Sequence, residues 1–222
     1  MGDIKPHQRV NDILLGPLER PTLQWLAAHM PDWMNPDILT GIGILGAVLI
    51  FFSYWLSNEV SGFLWIANLG FVINWFGDSL DGTLARYRQS ERPKYGFLVD
   101  HTVDSFNEVL IALGLGLSPY VTFSVACLAL IGYLLMSILV YIRTYVYGVF
   151  QLSYGKFGPT EVRVFLILLN VVMFFLGVPE VELPLGLGTV YDIPIALVAA
   201  VLFILFTAGS IRDAVELARV GE

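Results

Sequence analysis

The sequence has 222 residues, of which 56% are hydrophobic and only 14% are charged, whereas about 25% of the residues in an ordinary soluble domain are charged. This composition excludes an ordinary soluble protein, and most of the chain is expected to lie in a lipid bilayer. The net charge of −7 says little about partners, but no basic surface indicates nucleic-acid binding, and the single Cys127 excludes a disulfide framework or a thiolate metal site.

Residues 1–35 are predicted to form an amphipathic segment that lies at the membrane interface. Leucines alternate here with charged residues, and Pro17 and Pro21 interrupt the sequence, so the segment is too polar to span a membrane. Trp25 and Trp33 stand just before the first apolar stretch, where aromatic belts form. A soluble extension is the less favoured alternative. The first residues lack the order of a signal peptide, so we expect no cleavage.

Residues 36–222 are predicted to form one membrane domain of six transmembrane helices. A bilayer core needs about 20 apolar residues per helix, and six stretches meet this requirement. They lie at about residues 37–57, 61–87, 97–117, 120–149, 160–178 and 193–217. The fold class expected from the sequence is therefore an all-α membrane protein.

The basic residues predict the orientation of these helices. Once the six spans are drawn, all 12 Lys and Arg residues lie on one side of the membrane. The connections around Asn58, around Ser118 and from Pro179 to Asp192 contain none. By the positive-inside rule, both termini and the basic loops are expected in the cytoplasm, which agrees with an even number of spans.

A glycine pattern in the first span needs an interpretation. Gly41, Gly43 and Gly46 match the G-x-G-x-x-G pattern of dinucleotide-binding folds, but no strand precedes them and the surrounding sequence is apolar. Close packing between helices is therefore the favoured interpretation, and it also fits Gly114 and Gly116.

Two pairs of carboxylates carry the chemistry of the sequence. Asp78 and Asp81 are three residues apart at the end of the second span, and Asp100 and Asp104 are four apart at the start of the third. Each pair therefore shares a helix face. Four acids at membrane depth repel one another unless a cation lies between them. Oxygen ligands without a Cys or His cluster favour two Mg²⁺ or Mn²⁺ ions, which could clamp a pyrophosphate while it is broken.

The residues between the two pairs suit a phosphate-containing ligand. Gly82 and Ala85 leave the helix surface low enough for a nucleotide to approach the backbone, and Gly96 permits a close approach or a turn before the second pair. Arg86 can donate two hydrogen bonds to phosphate oxygens. It is also the only fixed counter-charge that we expect beside the acids. For the acids and for the basic residues, the structural alternative is charge at the membrane interface that sets topology.

The sequence D-S-L-D-G-T-L-A-R at residues 78–86, followed by G-F-L-V-D-H-T-V-D at 96–104, resembles the signature of the CDP-alcohol phosphotransferase family at every fixed position. The resemblance implies an enzyme of phospholipid biosynthesis that moves a phosphoalcohol from a CDP-linked donor to an acceptor hydroxyl and releases CMP. It also implies membrane lipid as a partner and commonly a homodimer. Two metal ions would bind Asp78, Asp81, Asp100 and Asp104, and CDP would bind beside Asp81 at Gly82, Ala85, Arg86 and Gly96.

Weaker candidates surround these residues. Asn74, one helical turn before the first acid, could hydrogen-bond a metal ligand or the cytidine, and Thr40 could face the nucleotide. Helix packing is the alternative for both. The resemblance implies acceptor contacts at Arg143, Lys156 and Arg163, on the cytoplasmic side of the fourth and fifth spans, where topology-setting charge is the alternative.

The base that removes the acceptor's proton is predicted to be Asp104, with His101 orienting or assisting it. Histidine titrates near neutral pH, as suits a catalytic base, but His101 lies about 100° around the helix from Asp100. The Asp-His pair resembles the choline and ethanolamine phosphotransferase branch. This favours a CDP-choline-like or CDP-ethanolamine-like donor and diacylglycerol as acceptor.

Two other functions stay open. A CDP-diacylglycerol donor could react with a small alcohol such as inositol phosphate or glycerol phosphate. A proton-coupled transporter is the alternative from another class, because intramembrane acids also form proton relays, but it gives no reason for the glycines and arginine at these spacings. We expect a prokaryotic plasma membrane protein with its active site facing the cytoplasm.

Overall fold

The computed structural model describes residues 8–10, 14–151, 158–183 and 186–221, and it is mostly helical. Within these residues, seven helices and four short strands follow one another. They are β1 (Gln8–Val10), α1 (Gly16–Ala28), α2 (Pro36–Leu56), α3 (Phe63–Tyr87), α4 (Pro93–Leu117), α5 (Phe123–Tyr147), β2 (Val149–Gln151), α6 (Pro159–Leu176), β3 (Glu180–Leu183), β4 (Gly186–Thr189) and α7 (Asp192–Val220).

Helices α2 to α7 coincide with the six apolar stretches, with ends that differ by at most four residues from those predicted. Four of them, α2, α5, α6 and α7, are long and apolar enough to cross a membrane. Helices α3 and α4 have 25 residues each, but polar and charged side chains interrupt their apolar sequence. These helices indicate an integral membrane protein.

Three local features differ from the sequence-based expectations. The connection from Pro179 to Asp192 contains an antiparallel pair of strands, β3 and β4, in which Glu180 faces Thr189. Strands β1 and β2 pair in parallel. Helix α1 continues through Pro21, which costs the helix one backbone hydrogen bond, whereas Pro17 lies in its first turn, where a missing N–H is harmless.

Helices α2 and α3 are packed backbone to backbone by glycines on both. A Cβ atom added to Gly46 would lie 2.5 Å from the backbone nitrogen of Asn74, and one added to Gly77 would overlap the backbone of Gly43. The packing interpretation of the α2 glycines is thus confirmed for Gly43 and Gly46. It is wrong for Gly41, where an added Cβ would meet nothing within 4 Å. We call this contact the glycine seam.

The other helices are arranged around this pair. Helix α4 packs on α2 and α5, α7 packs on α5, and α6 packs on α3. Gly114 lets α4 approach the backbone of Phe51 on α2, and Gly116 lies against the start of α5, as the packing interpretation predicts. The ends of α3 and α4 that carry the aspartates therefore meet at one end of the bundle.

Helix α1 is attached to that same end. Leu23 and Ala27 are buried with Leu80 and Leu84 of α3. The Glu19 carboxylate accepts hydrogen bonds from the Trp75 indole at 2.7 Å and from the Thr160 hydroxyl at 2.8 Å. The N-terminal helix is thus linked to both α3 and α6 beside the candidate site.

Candidate active site

The four signature aspartates converge as the sequence predicts. The side chains of Asp78 and Asp104 lie within hydrogen-bonding reach of each other, which joins the α3 pair to the α4 pair. Ligand atoms of Asp100, His101 and Asp104 all lie within 4.8 Å of one another. Asp81 and Asp100 line the same cavity. The carboxylates therefore surround one small volume, and their oxygens are the ligands that Mg²⁺ and Mn²⁺ prefer.

Asp81 is held by two donors at the base of this cavity. One oxygen accepts a hydrogen bond from the Thr40 hydroxyl of α2 at 2.6 Å, and the other from the backbone N–H of Gly82 at 2.5 Å. Thr40 also lies within 3.1 Å of the Pro36 carbonyl, one turn back in α2. Thr40, predicted to face the nucleotide, is thus a direct partner of a signature acid.

A cavity of about 280 Å³ extends from these acids toward the connection between α3 and α4. Its lining includes five residues predicted for the CDP site, namely Thr40, Asp81, Ala85, Arg86 and Gly96, together with Asp100 and His101. Gly82 lies beside it, where an added Cβ would come within 3.4 Å of the Arg86 guanidinium. Arg86 donates to the Thr83 hydroxyl at 3.2 Å. Gly96 lies within the first turn of α4 rather than in a turn before it.

The outer rim of the cavity carries residues that the sequence analysis did not single out. Arg92 forms an ion pair with Asp37 at 2.5 Å, and its guanidinium lies 4.0 Å from the centre of the Tyr95 ring. The hydrogen bond to Asp37 raises the pKa of Arg92. The two charged residues are visible in the sequence, but 55 residues separate Arg92 from Asp37, so their pairing is not.

Arg163 lies among the carboxylates, although it was predicted as an acceptor contact. Its guanidinium donates to Asp78 at 2.5 Å and to the side-chain oxygen of Asn74 at 2.9 Å. The Asn74 amide in turn donates to the Gly43 carbonyl of α2 at 2.9 Å. The expectation that Arg86 would be the only fixed counter-charge is therefore wrong. The pairing joins residues on α3 and α6, which sequence spacing cannot relate.

The other predicted acceptor residues lie elsewhere. Arg143 forms an ion pair with Asp213 at 2.5 Å, which joins α5 to α7. Lys156 lies outside the described residues. Of the three predicted acceptor contacts, the structure thus places Arg163 beside the signature acids.

His101 faces α5 and still lines the cavity. Its ring lies between two aromatic rings, with centroid distances of 4.2 Å to Phe97 and 5.3 Å to Tyr141. Its Nδ1 atom is 3.6 Å from an Asp100 oxygen. The aromatic contacts hold the ring against Tyr141 of α5 while it still lines the cavity. The contact with Tyr141 was not predicted, because the periodicity of one helix gives no information about which residues of a neighbouring helix it touches.

Further polar groups lie deeper along α4. Asn107 and Glu108 are largely buried, and Tyr133 of α5 hydrogen-bonds Glu108. Among the described residues, neither amide atom of Asn107 nor the second oxygen of Glu108 has a hydrogen-bond partner. Buried polar atoms without partners are rare. The polar face of α4 therefore continues past Asp104 toward the centre of the bundle.

Comparisons with known proteins agree with this geometry. The family model of the CDP-alcohol phosphatidyltransferases matches residues 33–207. The chain is 30% identical to cholinephosphotransferase 1 of Danio rerio over 164 residues, which are 69% of this chain and 42% of that protein. It is 32% identical to archaetidylinositol phosphate synthase of Pyrococcus horikoshii over 104 residues, 47% of this chain and 52% of that protein.

A third relative is phosphatidylinositol phosphate synthase of Cutibacterium acnes, 35% identical over 92 residues, which are 41% of this chain and 40% of that protein. The chain thus spans about half the length of the curated relatives it matches. The family match includes all four signature aspartates and covers most of the described helices. The chain belongs to the CDP-alcohol phosphatidyltransferase family.

Proposed function

We propose that this protein transfers a phosphoalcohol from a CDP-linked donor to the hydroxyl of an acceptor and releases CMP, with two Mg²⁺ or Mn²⁺ ions as cofactors. The observation that carries the proposal is the grouping of the four signature aspartates: Asp81 and Asp100 line the cavity that also holds Arg86 and Gly96, and Asp104 lies beside Asp100 and within hydrogen-bonding reach of Asp78. Family membership supports the same reaction class. A proton-coupled transporter does not account for either observation.

The four aspartates would hold the metal ions. When bound, the ions would polarise the donor pyrophosphate and stabilise the charge on the leaving CMP. Oxygen ligands of four separate side chains around one small volume fit this role. Thr40 and the Gly82 N–H fix the orientation of Asp81.

The cavity residues then position the reactants. Arg86 donates hydrogen bonds to phosphate oxygens of the CDP-linked donor. Gly82 and Gly96 leave room for that donor to approach the helix backbone. Asp104 accepts the proton of the acceptor hydroxyl, whose oxygen forms a bond to the β-phosphorus. The bond from that phosphorus to the CMP oxygen breaks at the same centre. His101, fixed by Phe97 and Tyr141, orients or assists this proton transfer.

We favour a CDP-choline-like or CDP-ethanolamine-like donor and diacylglycerol as acceptor. The relative from Danio rerio, named a cholinephosphotransferase, aligns with a larger share of this chain than the two synthases do. Arg163 and Arg143 are each bound to an aspartate, which leaves them poorly suited to bind an acceptor phosphate. A CDP-diacylglycerol donor with inositol phosphate or glycerol phosphate is the alternative that the synthases support.

The arrangement in the membrane completes the proposal. Helices α2 to α7 would span the bilayer six times, with residues 36–222 forming one domain and residues 1–35 lying at the interface. Leu18 and Trp25, both exposed on α1, suit contact with lipid head groups. Both termini and the cavity would face the cytoplasm of a prokaryotic cell, in a homodimer.

A donor and acceptor panel tests the reaction. Purified protein in detergent with Mg²⁺ is incubated with CDP-choline, CDP-ethanolamine and CDP-diacylglycerol, each with diacylglycerol, inositol phosphate or glycerol phosphate, and CMP release is followed. We expect the fastest release with a soluble CDP-alcohol and diacylglycerol. Release only with CDP-diacylglycerol would favour the alternative. No release with any pair, together with proton-driven solute uptake in proteoliposomes, would establish the transporter.

A further inference from the structure

Arg163 contacts a signature acid directly. Its ion pair with Asp78 is 2.5 Å long, and the two side chains are only 13% and 16% exposed. A guanidinium in such a place competes with any other cation for the same carboxylate, because opposite charges attract and like charges repel strongly where water is excluded.

The orientation of Arg163 is set by a chain of hydrogen bonds through three helices. The Gly43 carbonyl on α2 accepts from the Asn74 amide on α3, and the Asn74 oxygen accepts from the Arg163 Nε atom on α6. This leaves a terminal N–H group of Arg163 directed at one oxygen of Asp78. Arg163 is thus fixed on Asp78 rather than free to swing toward a substrate.

The position of Asp78 does not depend on Arg163. The backbone of Asp78 is placed by the glycine seam, since a Cβ on Gly43 would lie 3.3 Å from the Asp78 nitrogen. Besides Arg163, the Asp78 carboxyl group has Asp104 on α4 as a hydrogen-bonding partner. Removing the guanidinium would therefore remove a competing charge and leave the ligand in place.

We propose that Arg163, held by Asn74, is a resident counter-cation that weakens divalent-metal binding at Asp78 and so sets the metal concentration at which the site fills. The inference rests on the metal sites of the proposed function. It makes Arg163 a charge partner of Asp78 rather than a contact for the acceptor.

Metal binding to Arg163 variants tests this inference. Mn²⁺ affinity is measured for the detergent-purified protein by the electron paramagnetic resonance signal of free Mn²⁺. We expect Arg163→Gln to bind Mn²⁺ about tenfold more tightly than the wild type, since one unit charge leaves a site of low dielectric. Arg163→Lys should fall between the two, because an ammonium keeps the charge but cannot bond Asn74 and Asp78 as a rigid fork.

Arg143→Gln is the matched control. It breaks an ion pair of the same length and similar burial, with Asp213, that joins α5 to α7 away from the signature acids. It should lower the unfolding temperature without changing Mn²⁺ affinity. Arg163→Gln should also unfold earlier than the wild type in EDTA, because Asp78 loses its cation, but saturating Mn²⁺ should raise its unfolding temperature by more than it raises that of the wild type.

The outcomes are separable. Mn²⁺ affinity in Arg163→Gln that equals or falls below that of the wild type would overturn the inference. If Arg163→Gln does not fold, the same result in Arg163→Lys would overturn it. A wild-type protein that binds Mn²⁺ but releases no CMP would overturn the proposed reaction alone, whereas a wild type that binds no Mn²⁺ would overturn the metal sites and the inference together.

Discussion

Asp192 and the four signature acids lie near opposite ends of α4 and are stabilised in different ways. Asp192, at the start of α7, is fully buried and accepts hydrogen bonds from the Thr122 N–H and hydroxyl, both at 2.7 Å, and from the Thr189 N–H at 2.8 Å. All three donors are neutral. The signature acids instead depend on Arg163, on Thr40, on the Gly82 N–H and on one another.

The difference separates a structural carboxylate from a binding site. Both oxygens of Asp192 accept from donors that belong to the fold and the residue is fully buried, so it is not accessible to a ligand, and it ties α7 to the start of α5. The signature acids bring several negative charges together with too few protein donors to satisfy them. Added positive charge stabilises such a cluster, which is what a binding site for cations requires.

The largest effect is expected from Asp100→Asn. Losing one metal ligand should reduce CMP release by about a thousandfold, which corresponds to about 4 kcal/mol of transition-state stabilisation. The unfolding temperature should stay the same or rise, because the change relieves repulsion among the acids. Turnover and thermal unfolding are measured on the same preparation, and wild-type turnover at modest Mg²⁺ would contradict the metal assignment.

Asp192→Ala should show the reverse pattern. It leaves the N–H groups of Thr122 and Thr189 buried without their acceptor, at a cost of about 1–3 kcal/mol for each group. We expect a free energy of unfolding lower by about 3 kcal/mol and an unchanged turnover per folded molecule. Denaturant titration in detergent measures the first and CMP release the second. Asp192→Asn keeps one acceptor oxygen and serves as the milder control.

The smallest effect is expected from His101→Ala. If Asp104 is the base and His101 assists it, Asp104→Asn should be nearly inactive, whereas His101→Ala should lose about tenfold, which is less than the roughly hundredfold or more that a general acid or base itself contributes. Turnover is compared across pH at saturating metal. A His101→Ala enzyme as inactive as Asp104→Asn, with Mn²⁺ binding intact, would assign the base to the histidine and strengthen diacylglycerol as the acceptor.

Much of this arrangement follows from sequence periodicity. The six long helices are visible as apolar stretches, and the spacing of the aspartates places each pair on one helix face. The partners of these residues are not visible. Arg163 and Asp78 are 85 residues apart, and they meet because α6 packs on α3. Arg92 and Asp37 are 55 residues apart, and they meet because the start of α4 lies beside α2. The β3–β4 pair is similarly hidden between two apolar helices.

The glycine seam was predicted as helix packing, but its role at the site was not. The pattern in α2 gives no information about which helix it contacts, and the partner glycines of α3 are spaced differently. Gly41 has the same sequence context as Gly43 and yet faces open space. Only the rotation of α2 in the bundle decides which glycine is used.

The seam also has a consequence for how the protein can change with its host membrane. Since main-chain atoms set the separation of α2 and α3, the outward side chains of the same helices, such as Leu45, Phe52 and Leu69, are exposed and contribute little to that separation. In the proposed six-span arrangement, these side chains could be exchanged to match a thicker or thinner bilayer while the spacing of Thr40, Asp78 and Asp81 is preserved. The exposed face of α2 and α3 could therefore change with the lipid, while the packed face of the same helices keeps the site residues in place.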